Sequence, residues 1–216
     1  MHKSTVGRVL ATLARFRADH NMKSELKWCK VSNQKLAEYE ALVDIFFALN
    51  NVNHIQFHGV VFDSHNWNHR RYNNGERDVG VSKLYYQLLL HKFVSKCGPA
   101  GTLYARLDHR NSSTSLEDLR RMLNAAAARD FGLTENPLKQ LVSEDSKNCD
   151  LLQVNDVILG AVCAARNGRH LLPGTRLAKQ KIASLVLAKS GLRSFEVDTP
   201  KTITRFTMWN MRAQPR

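Results

Sequence analysis

The stretch from Leu151 to Ala165 constrains the fold more than any other, because at helical spacing it is apolar nearly all round. Its main stripe is Val154, Val157, Ile158, Ala161, Val162 and Ala165, while Leu152, Leu159 and Cys163 lie on the other side together with Asp156. A helix apolar on both sides is expected to be buried on both sides, inside a layered domain. It is not a membrane span, since the longest uninterrupted apolar run, Val157 to Ala165, falls well short of about 20 residues. Asp156 is the anomaly within it. A carboxylate in such a place has to be paired, protonated or metal-bound, because burying a bare charge costs several kcal/mol.

The remaining elements alternate in kind. Residues 4–17 form an amphipathic helix with Val6, Leu10, Leu13 and Phe16 on one face. Ser32 or Asn33 is placed to cap a second helix running to about Leu49, with Leu36, Val43, Phe46 and Phe47 facing in. His54 to Asp63 is rich in β-branched and aromatic residues and reads as a strand, followed by a polar loop from Ser64 to Gly80. A helix is expected over Val81–Ser95, a strand over Thr102–His109 ending on Asp108, and a helix from Ser115 to about Arg129 with a capping-box start. Leu138–Val142 reads as a short strand, Thr175–Lys189 as a helix and Thr202–Trp209 as a last strand. Strands interleaved with helices predict an α/β layer architecture in a single domain spanning 1–216.

Charge narrows the choice of partner. The chain carries 32 Lys+Arg against 19 Asp+Glu, a net of +13. Residues 1–30 hold seven basic and two acidic side chains, and residues 166–216, which include the basic C-terminal helix and strand expected over 169–216, hold eleven and two. The middle is near neutral and holds most of the carboxylates. Such ends suit a polyanion, because phosphates release condensed counterions to Lys and Arg, and nucleic acid is the expected partner. Arg70 and Arg71, in the aromatic-bearing loop 65–72 (HNWNHRRY), and Lys179 and Lys181 are the candidate nucleic-acid contacts. No segment reads as a secretory signal or a membrane anchor, and the four cysteines show no CxxC spacing, so a cytoplasmic protein with reduced thiols is expected.

Asp108 and Asp156 are the leading candidates for chemistry. An acid at the carboxyl end of a strand can point into the crevice where α/β proteins place ligands. Two converging carboxylates would offer the hard oxygens that Mg²⁺ or Mn²⁺ takes, and such a metal could activate water against a phosphodiester. The competing reading is structural, with Asp108 pairing to Arg110 or capping a turn and Asp156 pairing with a basic helix. His54/His58 and His65/His69 sit four apart, but neither pair lies in a helical pattern that would support zinc. His109 should point away from Asp108, since a strand alternates faces.

Three segments carry a resemblance: Glu25-Leu-Lys-Trp, Leu107-Asp-His-Arg and Leu152-Gln-Val-Asn-Asp-Val-Ile-Leu-Gly-Ala. Over roughly residues 25–168 the chain resembles the domain-of-unknown-function family 3800 of bacteria and phages, whose members resemble ribonuclease H-like nucleases. The resemblance implies a ribonuclease H-like mixed sheet flanked by helices, a metal-dependent nuclease activity, and a phage-defence or mobile-element setting. It makes Asp108 the acid of the central strand, Asp156 the acid of the late helix and Glu25 a third candidate, with Gln153 and Asn155 orienting ligands or water. The family's opening ‘DESG’ strand has no counterpart in this chain. The resemblance therefore implies a sheet missing its first hairpin, and three explanations stay open: a truncated record, a strand supplied by a second copy or another chain, or an inactive, purely binding module.

Overall fold

A computed structural model describes residue 1 and residues 3–62, 77–109 and 115–211, with backbone alone for 77–79. In chain order the elements are α1 (Lys3–Asp19), two short 3-10 turns (Trp28–Lys30 and Asn33–Lys35), α2 (Leu36–Asn51), β1 (Phe57–Phe62) and α3 (Arg77–Leu88). The third helix continues through a wider π turn (Leu89–Val94). Then come β2 (Leu103–Asp108), α4 (Leu116–Phe131), β3 (Leu138–Glu144), α5 (Asp150–Arg166), α6 (Leu177–Ser190) and β4 (Phe206–Met211). The chain is mixed α/β and mainly helical. Among the described residues the strands form two pairs, β1 with β4 and β2 with β3, rather than one continuous sheet.

Contacts divide the chain into two units, Met1–Gly59 with Ser146–Asn210 and Val60–Asp145 with Met211–Arg216, where the sequence reads as one domain. In the first unit α6 packs against both α5 and α2. Small side chains at the crossing, Ala161, Ala178 and Ala183, are fully buried beside Val157, Ile158, Ile182 and Val186. An aromatic cluster closes the unit around Phe206. Its ring stacks on Phe57 at 4.7 Å, Phe47 at 5.6 Å and Phe195 at 5.9 Å, and meets Phe46 edge-on at 6.4 Å. On α1 the buried stripe is Val9, Leu13 and Phe16. Leu10, expected to face inward, is 41% exposed.

The second unit is built on a parallel β2–α4–β3 arrangement. Leu89, Leu90 and Val94 of the π turn pack with Leu119, Leu123, Ala126 and Ala127 of α4 and Leu138 and Leu141 of β3. Ser115 caps α4 as expected, its Oγ accepting from the Asp118 N–H, and left-handed Gly132 (φ 66°) ends it. Asn124 of α4 clasps the start of β3: its Nδ2 donates to the Leu138 carbonyl and its Oδ1 accepts from the Leu138 N–H, both at 3.0 Å. A buried amide thus stands in for a neighbouring strand. No helix among the described residues is long and apolar enough to cross a membrane, and all four cysteines are free.

Candidate functional site

α5 is not buried on both sides. Gln153, Val154, Val157, Ile158, Ala161, Val162 and Ala164 face the core, whereas Asp156 and Cys163 are exposed and Leu159 is 41% exposed. Asp156, being exposed, therefore needs neither a metal nor a counter-charge to keep its charge. What Asp156 does instead is specific: its Oδ2 accepts the backbone N–H of Trp28 at 2.8 Å. That N–H opens the 3-10 turn Trp28–Lys30 and has no partner within the turn, so the carboxylate caps it from another helix.

One turn earlier, Gln153 does the same for Leu26. Its side chain is 2% exposed, and its Oε1 accepts from the Leu26 N–H at 2.8 Å and from Arg17 Nη2 at 2.5 Å. Its Nε2 donates to the carbonyls of Ser146 at 2.8 Å and Lys147 at 3.2 Å. One buried amide satisfies four partners on α1, the 22–31 segment and the turn before α5. The helix spacing of 153 and 156 matches the alternate N–H groups of Leu26 and Trp28 in the intervening extended stretch. Gly160 completes the seat, since a Cβ there would collide with Cβ and Cγ of Trp28. Lys179 of α6 lies over the same ring, its Nζ 5.4 Å from the centroid. The Glu25–Trp28 and Leu152–Ala161 segments, separate in sequence, are thus one docking unit. Replacing Gly160 by Ala should force Trp28 out of its seat and lower stability by about 1–3 kcal/mol, read by urea unfolding and by a red shift in Trp emission.

Glu25 is held rather than poised. Lys27 Nζ lies 3.0 Å from Oε1 and Lys30 Nζ 3.5 Å from Oε2, and the Ser146 hydroxyl donates to Oε1 at 2.9 Å. Lys27 foremost, helped by Ser146 and Lys30 against the opposing effect of burial, draws the carboxyl below the usual glutamate range. A lowered folded-state pKa means this contribution is full above the ordinary glutamate value and fades as pH falls through the folded one. Accordingly, Glu25→Gln should destabilise at neutral pH, with the difference from the native chain narrowing once pH falls below the ordinary glutamate value and vanishing below the lowered folded-state one, as read by acid unfolding. Arg17, unremarked in the sequence, is the other anchor. Its Nε donates to Asp150 at 2.8 Å, and Nη1 to the carbonyls of Met22 at 2.6 Å and Ser24 at 3.1 Å. Arg17, Glu25, Asp150 and Gln153 line an open cleft of about 420 Å³ with Lys23 and Lys147.

Asp108 belongs to the second unit, exposed at the end of β2 beside its register partner Glu144 on β3. Arg106 pairs with Glu144 at 2.6 Å. His109 turns to the opposite face, its Nδ1 3.2 Å from Ser143 Oγ. His58 is buried against Thr207 Oγ1 at 2.7 Å, a structural contact. Arg70, Arg71, His65 and His69 lie outside the described residues. Among the described residues no three of His, Cys, Asp and Glu gather closely enough to hold a metal ion. In the first unit Asp156 gives Oδ2 to a backbone N–H and both Glu25 oxygens face lysines.

The surface downstream of Asp156 has a different character. From Val157 to Phe195 the chain contains no Asp or Glu but holds Arg166, Arg169, Arg176, Lys179, Lys181, Lys189 and Arg193. Lys189 pairs with Asp44 at 2.8 Å and Arg166 contacts Asn210. Arg169, Arg176, Lys181 and Arg193 are exposed, and among the described residues none of them has a carboxylate partner. Lys179 is half-buried on Trp28 and Lys181 stands free in solvent, so the two candidate contacts of α6 divide into a packing residue and an open cation. Comparison with protein-family models, curated proteins and solved structures finds no match to this chain.

Proposed function

We propose that the chain is a nucleic-acid-binding module whose contact surface is the carboxylate-free stretch Val157–Phe195. The observation that carries the reading is the set of exposed, unpaired cations Arg169, Arg176, Lys181 and Arg193 in a segment with no acidic residue to neutralise them. Exposed cations without counter-charges release phosphate counterions on binding, the main sequence-independent term in nucleic-acid affinity. In this reading Asp156, Gln153 and Glu25 keep the 22–31 segment in place rather than act on a substrate. Fluorescence anisotropy with labelled single-stranded and duplex oligonucleotides tests it. Affinity should fall steeply with salt, and R176E/K181E/R193E should weaken binding at least about tenfold and flatten the salt slope by roughly 2–3. Salt-independent binding, or none, overturns the reading.

A metal-dependent nuclease of ribonuclease H-like fold is the second reading, favoured by Asp108 and Glu144 standing side by side at the carboxyl ends of two parallel strands. It calls for Mg²⁺-dependent cleavage of DNA or RNA that Asp108→Asn abolishes without loss of binding.

A further inference from the structure

The loop between α5 and α6 exposes apolar side chains that folding does not bury. Leu171 is 75% exposed, more than any other large apolar side chain among the described residues; next to it Leu172 is 56% exposed, and Leu177, the first residue of α6, is 50% exposed. The loop carrying them is tightly tied. The Thr175 hydroxyl donates to the Arg169 carbonyl at 2.9 Å, the Thr175 N–H to the Leu172 carbonyl at 3.2 Å, and Gln180 Nε2 to the Thr175 carbonyl at 2.8 Å. Beneath it His170 is buried, its Nδ1 3.2 Å from the Ala164 carbonyl. Left-handed glycines at 168 (φ 63°) and 174 (φ 79°) set the two bends. The leucines are therefore presented by an ordered turn, and their ordering cost is met before any partner arrives.

Their surroundings say what partner suits them. Arg169 and Arg176 flank the tip, both exposed and without a carboxylate neighbour among the described residues. The apolar surface does not continue along α6, where Ala178, Ile182, Ala183 and Val186 face inward and Lys181, Ser184 and Lys189 face out. A helix lying on a lipid surface would carry its apolar stripe over several turns. A protruding apolar tip between arginines has the form of the side-chain wedges that enter base steps while cations hold the phosphates on either side.

We propose that Leu171 and Leu172 form such a wedge, inserting between bases where the basic surface meets nucleic acid; the inference rests on the nucleic-acid-binding reading above. Because insertion requires unstacking, the wedge selects sites where stacking is already weak, such as a bulge or mismatch, over continuous duplex. The experiment uses the full chain and duplexes with and without a central two-base mismatch flanked by 2-aminopurine. The native chain should prefer the mismatched duplex by roughly tenfold and raise 2-aminopurine fluorescence on binding. L171A/L172A, two exposed positions whose loss should leave the thermal melt unchanged, should remove both the preference and the fluorescence rise while keeping the salt slope. L171M/L172M should restore them. If L171A/L172A retains the preference and the fluorescence change, while R176E/K181E/R193E loses binding, the wedge is overturned and the basic surface stands. If the native chain ignores both oligonucleotides and instead floats with phosphatidylserine vesicles in a leucine-dependent way, both proposals are overturned.

Discussion

Gln153→Leu should lower stability by about 3–5 kcal/mol, the largest loss expected from any polar substitution among the described residues. Leucine fills the space, so the effect isolates the hydrogen bonds. The Leu26 N–H, the Ser146 and Lys147 carbonyls and one Arg17 N–H lose their partner together. Leaving a buried polar group unsatisfied costs about 1–3 kcal/mol, and part of the loss is recovered where relaxation admits water. Urea unfolding should show a lower midpoint, and hydrogen exchange should speed up first at Leu26 and its neighbours. Asp156→Asn is the informative comparison. An asparagine oxygen still accepts the Trp28 N–H, so the loss should stay within about 1 kcal/mol. If Asp156→Asn is instead stable but abolishes a measured nuclease activity, the capping role assigned to Asp156 is incomplete.

Phe206→Ala should cost about 3–5 kcal/mol by removing the ring on which four others converge. Phe206 is 2% exposed and touches Phe46, Phe47, Phe57 and Phe195. The neighbours come from α2, β1 and the segment after α6, so none can close the cavity without moving its own element. Thermal unfolding followed by near-UV circular dichroism should show an early loss of the aromatic signal. The β2–α4–β3 core, which contains none of these rings, should keep its protected amides to higher temperature. A melt that stays a single transition, with both units shifted equally, would show that they unfold as one.

The elements that sequence periodicity locates well are those whose contacts are apolar and repetitive. Leu103, Ala105 and Leu107 alternate with exposed Tyr104, Arg106 and Asp108, and β2 lies where that alternation puts it. The α4 start was legible because a cap is a local matter of Ser115 and Asp118. Polar contacts between distant residues were not legible. Asn33 sits where a cap for α2 belongs, yet its side chain accepts the Ala178 N–H at 2.9 Å and caps α6, while α2 begins after a 3-10 turn. Nothing in either local sequence announces a bond across 145 positions. The same holds for Asp156: an acid in an apolar run looked buried because hydropathy cannot show that Gly160, one turn on, opens that side to receive Trp28. The motif segments were visible; that they grip each other was not.

The division of the first unit between residues 1–59 and 146–210 also orders events during synthesis. The 22–31 segment leaves the ribosome more than a hundred residues before Gln153 and Asp156 exist to hold it. The core residues of the β2–α4–β3 piece all precede Asp145, so that core can assemble in the meantime. Until α5 and α6 emerge, Leu26, Leu42, Phe46 and Phe47 lack the helices that help to bury them in the finished fold.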